Sequence, residues 1–307
     1  MLTVNNNYFA TYQTTNKRKS GYYSNVKTNS NSYFDYAENN SKINFAGINL
    51  SKILKNERRL INLEKELPPI ESFSEYKEVL EEIINSRTVS NEIFWRPNAD
   101  MAKNQNIKQE HIGLLPYCGV NDVSWDINRY LGGRINYDNL PEKYYKKGSY
   151  VPTHESIKNI IRGLEYSLKQ LDENFGKYKG FVFRKGYMSE YSGQYVSSST
   201  HPEIAANFNG FNSNCQYSII ETKNGHKIHS FQEEIKNNYE KTEREILLPR
   251  QTKYEKISPE NYDDKIQSVI NIFALELSIA SKLSDREAIN PISFNKAAKL
   301  ITVFKEI

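Results

Sequence analysis

Between residues 180 and 257 the chain is cut into short β-rich runs: 180–184, 195–198, 216–222, 226–231, 243–249 and 254–257. Runs this short, bounded by turn residues, read as strands. A long amphipathic stretch precedes them, in which Ile157, Ile160, Ile161, Leu164, Leu168 and Leu171 recur on one helical face of 155–171. Pro202 to Phe208 reads as a short helix among the strands, with Ile204, Ala205 and Phe208 facing inward. The dipeptide Asn224-Gly225 predicts a hairpin joining two strands. Residues 262–283 and 292–304 return to helical spacing. Helices first and many strands afterwards specify an α+β fold rather than a doubly wound sheet. No Gly-x-Gly-x-x-Gly follows a strand, so any nucleotide is held by a device other than a Rossmann turn.

The remaining sequence sets the frame. Residues 1–49 are rich in Asn, Ser, Thr and Tyr without apolar periodicity, which predicts a flexible polar leader. Residues 50–67 and 73–86 carry helical spacing, separated by Pro68-Pro69. Ser72 and Glu75 form the signature of a capping box at the second of these helices. The 307 residues hold 41 Lys+Arg against 37 Asp+Glu, a net charge of +4, too mild to argue for a nucleic-acid binder. The same slight excess suits an anionic cofactor or an acidic partner. Two cysteines, Cys118 and Cys215, give neither a disulfide framework nor zinc spacing and point to a reducing compartment. His154, His201, His226 and His229 show no metal-ligand spacing, and His201 reads either as a surface residue or as part of a cofactor cleft. No apolar run is long enough to span a bilayer, and the N-terminus has no basic-then-apolar secretory signal.

The chemistry concentrates at Glu243-Arg244-Glu245-Ile246-Leu247-Leu248-Pro249. Alternation along a strand puts Glu243 and Glu245 on one side. Two neighbouring carboxylates repel each other, and a fold retains such a pair for chemistry, or else as charges guarding an exposed strand edge. A carboxylate beside a ribosyl carbon stabilises an oxocarbenium-like transition state, and a second one orients or deprotonates a nucleophile. Arg184 ends the apolar strand Phe181-Val182-Phe183-Arg184, where its guanidinium is placed either to clamp a phosphate or to pair with a surface acid. Gly186 would let a flat ligand approach the backbone closely. In Ser197-Ser198-Ser199, the outer two hydroxyls share a face, either to orient a carboxylate and a ribose or to end the strand and cap the next helix.

In this order the pieces Phe183-Arg184-Lys185-Gly186, Tyr195-Val196-Ser197-Ser198-Ser199-Thr200-His201-Pro202-Glu203-Ile204-Ala205 and Glu243-Arg244-Glu245-Ile246-Leu247-Leu248-Pro249 resemble the arginine–serine–glutamate class of mono-ADP-ribosyltransferases. Ile127-Asn128-Arg129-Tyr130-Leu131 is similar to the helix before that family's core, and Gly225-His226-Lys227-Ile228 to the strand before its target-presenting loop. The resemblance implies a β-sandwich catalytic core over 117–257, preceded by the leader and a helical extension at 50–116 and followed by a helical segment at 258–307. It implies NAD as substrate, with Arg184 on its phosphates, Gly186 on the nicotinamide amide, and Ser197 holding Glu245 and the nicotinamide ribose. Ser199 and Phe208 would line the same cofactor site, Phe208 doubling as a core residue. Glu245 would be the catalytic glutamate and Glu243 would position the target. Residues 231–242 would form the target loop, with Phe231 and Tyr239 as contacts. The family's usual Ser-Thr-Ser is Ser197-Ser198-Ser199 here, a change that keeps the hydroxyl.

A glutamate at 243 resembles the arginine-modifying members, although paired glutamates also occur in relatives acting on other residues such as threonine. The implied protein is a secreted bacterial effector or toxin of the type III kind, a virulence factor acting in host cytosol on a host protein, with a secretion chaperone at its N-terminus. Vertebrate surface relatives carry signal peptides and disulfides, and this chain shows neither. Two other readings fit the same residues: an NAD glycohydrolase, and an inactive module that keeps the cleft for binding.

Overall fold

The computed structural model describes residues 65–85, 107–118, 123–133, 154–186, 188–234, 244–283 and 291–307. The first layer is helical. Helix α1 (Phe73–Asn85) begins as its sequence predicts, with Ser72 Oγ accepting the Glu75 N–H at 3.1 Å. The Glu75 carboxylate accepts from the Glu71 N–H at 3.1 Å, one residue further back than in the usual capping box. A 3₁₀ turn (Gln109–Leu114) runs into α2 (Leu115–Cys118), and α3 (Val123–Leu131) follows. The long helix α4 (His154–Phe175) buries the predicted face, Ile157, Ile160, Ile161, Leu164, Leu168 and Leu171. It packs so closely on the 3₁₀ turn that a Cβ at Gly113 would lie 2.4 Å from the Gly163 carbonyl oxygen. Tyr76 of α1 locks this contact, its hydroxyl sharing a hydrogen bond with Ser167 Oγ at 2.7 Å and accepting from the Gly113 N–H at 2.9 Å.

The strands are β1 (Tyr178–Lys185), β2 (Tyr191–Ser192), β3 (Val196–Ser199), β4 (Tyr217–Gly225), β5 (Glu245–Leu248), β6 (Thr252–Ile257) and β7 (Ile301–Glu306). They hydrogen-bond in the order β2-β6-β7-β4-β1-β3-β5. Every pair is antiparallel except β4 with β7, so the fold is α+β with a mixed sheet.

β1 meets β3 at one register pair, Phe183 with Ser199, and there the sheet folds over. Val182, Ile220, Phe304 and Tyr254 from one half pack in a single buried cluster with Ile246 and Leu248 from the other. Alternation then fixes the outer faces. Phe183, Tyr217, Ile219, Ile301 and Val303 turn outward onto α7 (Asp264–Lys282), where Phe273 sits 5.0 Å from the Phe183 ring. Leu247 turns the other way, into the helical layer with Tyr195, Ile228 and Phe231. The β3–β5 half is thus held between the inner core and the helices.

Three expectations are corrected. Asn224-Gly225 does not make a hairpin. β4 runs through it, and His226 instead bridges to Leu247 with two backbone hydrogen bonds of 2.9 and 3.0 Å. The glycine answers to a close approach, since a Cβ at Gly225 would lie 2.5 Å from Ile246 Cγ2. The expected strand at 226–231 is the start of helix α6 (Ile228–Glu234), because Ile228 and Phe231, three apart, both reach the helical core. Finally, 292–304 is not one helix: a short α8 (Phe294–Ala298) gives way to β7 in the middle of the sheet. Glu306 at its end accepts from the Thr222 hydroxyl and the Lys223 N–H, each at 2.6 Å. Burial pushes this carboxyl up, but those bonds and two more from Asn224 outweigh it and hold it below its ordinary value. Among the described residues no helix is long and apolar enough to cross a membrane.

Candidate active site

Three neighbouring strands each supply one expected residue. Ser199 of β3 faces Phe183 of β1 on one side and Glu245 of β5 on the other. This register places Arg184, Ser197 and Glu245 around one point. The Arg184 Nη1 donates to the Ser197 carbonyl oxygen at 2.5 Å, and the Ser197 hydroxyl donates to Glu245 Oε1 at 2.5 Å. Ser197 and Glu245 are diagonal neighbours on one face, whereas Ser198 points through the sheet and donates to the Ile246 carbonyl at 2.8 Å. β5 is the last strand in the order, yet Glu245 is only 7% exposed. A charge guarding a strand edge must be solvated, so that role does not fit Glu245. A buried carboxylate costs several kcal/mol, on the order of the stability of a small domain, unless hydrogen bonds and nearby cations support it.

The other expected residues fall as follows. Gly186 has φ 115°, and among the described residues, its chain neighbours aside, no atom lies within 4 Å of where its Cβ would be, so they leave the space beside its backbone open. Its N–H donates to the Gln216 carbonyl at 2.8 Å and its carbonyl accepts from the Ser218 hydroxyl at 2.9 Å. A ligand amide would therefore meet the second lone pair of that carbonyl. Ser199 is buried and its Oγ accepts from the His201 N–H at 3.1 Å, turning the chain into α5 (Pro202–Asn207). Phe208 is 47% exposed, which corrects its assignment to the core: α5 ends at Asn207, and the buried face is Ala205 and Ala206. Its carbonyl accepts from Lys185 Nζ at 2.9 Å. Phe231 is wholly buried and edge-on to His111, which removes it from the expected target contacts. Glu243 and Tyr239 lie outside the described residues.

Residues not singled out in the sequence join the cluster. Tyr117 of α2 is buried against Tyr195, ring centroids 5.8 Å apart. Burial, together with the Glu245 carboxylate beside it, pushes its hydroxyl well above the ordinary phenol value, while the Asn128 side chain and Arg184 pull the other way. Asn128 of α3 pins the entry to β3: its Oδ1 accepts from the Tyr195 N–H at 3.0 Å and its carbonyl from Gln194 Nε2 at 2.6 Å. His229 of α6 lies 3.2 Å through Nδ1 from the Glu245 carbonyl, which only accepts, so this ring nitrogen carries the proton. Tyr117 and Asn128 stand in stretches noted for their pattern, but their convergence on Glu245 comes from helix packing, which no local spacing encodes.

No family model matches the sequence, and no curated protein matches it. Among solved structures, the chain is similar to the eukaryotic mono-ADP-ribosyltransferase ART2.2, with a TM-score of 0.41 and 19% identity over 62% of this chain and 81% of that one. It is also similar to the type III effector XopAI from Xanthomonas axonopodis pv. citri, with a TM-score of 0.41 and 13% identity over 84% of this chain and 98% of that one. A third is the ADP-ribosyltransferase HopU1 of Pseudomonas syringae pv. tomato, with a TM-score of 0.38 and 11% identity over 77% of this chain and 98% of that one. These likenesses are distant.

Proposed function

We propose that this protein is an NAD-dependent mono-ADP-ribosyltransferase that modifies arginine on a host protein. The observation that carries the reading is the chain of contacts from Arg184 through Ser197 to the buried carboxylate of Glu245. The bond from nicotinamide nitrogen to ribose breaks, its electron pair leaving on nicotinamide. The acceptor nitrogen then bonds to the ribosyl carbon and gives up a proton. Glu245, aimed by the Ser197 hydroxyl, stabilises the positive charge that develops on the ribose. Arg184 offers a cation for the diphosphate, and the open space at Gly186 admits the flat nicotinamide. Ser199 supports the same strand, and the exposed Phe208 ring is available to the ligand. Glu243 positions the acceptor guanidinium, which is charged in water and a poor nucleophile until deprotonated. Delivery by a bacterium into host cytosol, with a chaperone engaging the N-terminus, is supported by the polar composition of residues 1–49.

The test is incubation of the purified protein with labelled NAD and a host-cell lysate. Labelled protein bands are expected with the wild type and not with Glu245→Ala. Free ADP-ribose without bands would replace transfer by NAD hydrolysis, and no turnover of NAD would leave a binding module.

Tyr117 gives a second test. Tyr117→Phe keeps the ring and removes the hydroxyl near Glu245, so kcat for NAD cleavage is expected to fall by about tenfold, equivalent to about 1.4 kcal/mol. The KM for NAD stays near wild type, while the melting temperature falls by a few degrees because the Asn128 side chain loses the buried hydroxyl as a partner. A kcat within about twofold of wild type would confine Tyr117 to packing.

A further inference from the structure

A cleft of about 420 Å³ opens at the entry to β5. Its walls are Phe175, Tyr178, Thr200, His201, Lys227, His229, Ser230 and Arg244. Among the described residues lining it there is no carboxylate, while Lys227 and Arg244 bring permanent positive charge and Thr200 and Ser230 bring hydroxyls. Lys227 Nζ donates to the Phe175 carbonyl at 2.7 Å, a neutral partner that fixes the ammonium at the wall without cancelling its charge. His201 is different: its Nδ1 lies 2.7 Å from the Glu203 carboxylate, a contact that turns this ring toward an acid of α5.

The cleft is tied to the candidate catalytic strand by three connections. Arg244 directly precedes Glu245, its φ of 46° turning the chain into the strand. The Thr200 N–H donates to the Arg244 carbonyl at 3.1 Å. His229 holds the Glu245 carbonyl. Whatever chain occupies this cleft therefore passes within a few residues of the group that Glu245 acts on, at about 3.3 Å of extended chain per residue.

We propose that this cleft binds an acidic stretch of the target polypeptide, so that the modified side chain is chosen by carboxylates near it in sequence. The inference rests on the transferase reading and adds the chemistry of the acceptor. Cations at a partly exposed cleft attract an acidic segment, bias encounter toward it and lose that bias with salt. Phe175 and Tyr178 supply apolar wall for the side-chain stems between the acids.

The experiment uses two synthetic peptides, each with one arginine, flanked by aspartates in one and by serines at the same positions in the other. Binding is read by fluorescence anisotropy and transfer by labelled NAD, each on the full chain. The wild type is expected to prefer the aspartate peptide by about fivefold or more in both readouts, the preference shrinking as salt is raised. Lys227→Glu should abolish or reverse the preference while leaving NAD cleavage in water and the KM for NAD unchanged. Lys227→Gln, which retains the donor to Phe175, should give an intermediate loss and covers the case in which charge reversal unfolds the protein.

Equal binding of the two peptides by the wild type overturns the proposal. So does a rise in the KM for NAD in both Lys227 variants, which would assign the cleft to the diphosphate of the dinucleotide. Acid-selective binding without any NAD turnover would support the cleft and remove the transferase reading, so the two failures are separable.

Discussion

Glu245→Ala is expected to lower the rate of NAD cleavage by on the order of a thousandfold, equivalent to about 4 kcal/mol of transition-state stabilisation. The size follows from where the carboxylate sits. It is almost out of water, held by the Ser197 hydroxyl at 2.5 Å, with Arg184 bonded to the same serine's carbonyl. A negative charge fixed in advance near a developing cation needs no reorganisation when the bond breaks. Glu245→Gln separates charge from shape, because the amide still accepts from Ser197 but carries no charge. It should lose nearly as much rate as alanine. Neither change should unfold the protein. Alanine leaves the Ser197 hydroxyl without this partner and takes the carboxylate from beside the Tyr117 hydroxyl, a cost of about 1–3 kcal/mol, and also removes a buried charge that was itself unfavourable. Melting temperature measured beside kcat therefore reports whether lost activity is chemical. Retention of turnover within tenfold in the alanine variant would remove Glu245 from the chemistry and with it the proposed mechanism.

The convergence of Arg184, Ser197 and Glu245 was legible through the resemblance that the order of the three runs carries, whereas strand alternation by itself gave only the shared face of Ser197 and Ser199 and of Glu243 and Glu245. Ser197 and Ser199 share a face in any strand, and pairing β3 between β1 and β5 then brings the guanidinium and the carboxylate to them. Tyr117 and Asn128 were not legible as site residues. Each stands on a helix whose docking against β3 sets the contact, and the helix pattern is the same whatever it docks against. Asn224-Gly225 misled for a different reason. A glycine forced by close approach to Ile246 is written with the same residue as a glycine required by a turn. Phe208 was misplaced by a single residue of helix length, since α5 stops at Asn207 and the ring swings outward.

The C-terminal strand, where helical spacing and strand coincide in one run, yields the sharpest structural prediction: Val303→Asp should destabilise the protein by about 4 kcal/mol or more, enough to depress soluble yield or lower the melting temperature by about 10 °C. Spacing through Ala297, Leu300, Ile301 and Phe304 satisfies a helix. Ile301-Thr302-Val303-Phe304 is also a continuous run rich in β-branched residues, as expected of a strand covered on both faces, where alternation disappears. β7 is such a strand. It lies between β6 and β4, with Val303 registered against Ile257 on one side and Ile219 on the other. Val303 is wholly buried under α7, while Phe304 fills the inner core. An aspartate at 303 would place a carboxylate in apolar packing with both neighbouring strands fixed by backbone pairing. Ile307, 69% exposed just beyond the strand, provides the control, and Ile307→Asp should stay within about 0.5 kcal/mol of wild type. Were 303 on the outer face of a terminal helix, the two variants would melt together. A Val303→Asp protein melting within about 2 °C of wild type would therefore take β7 out of the sheet, together with the support it gives to β4 beside β1 and Arg184.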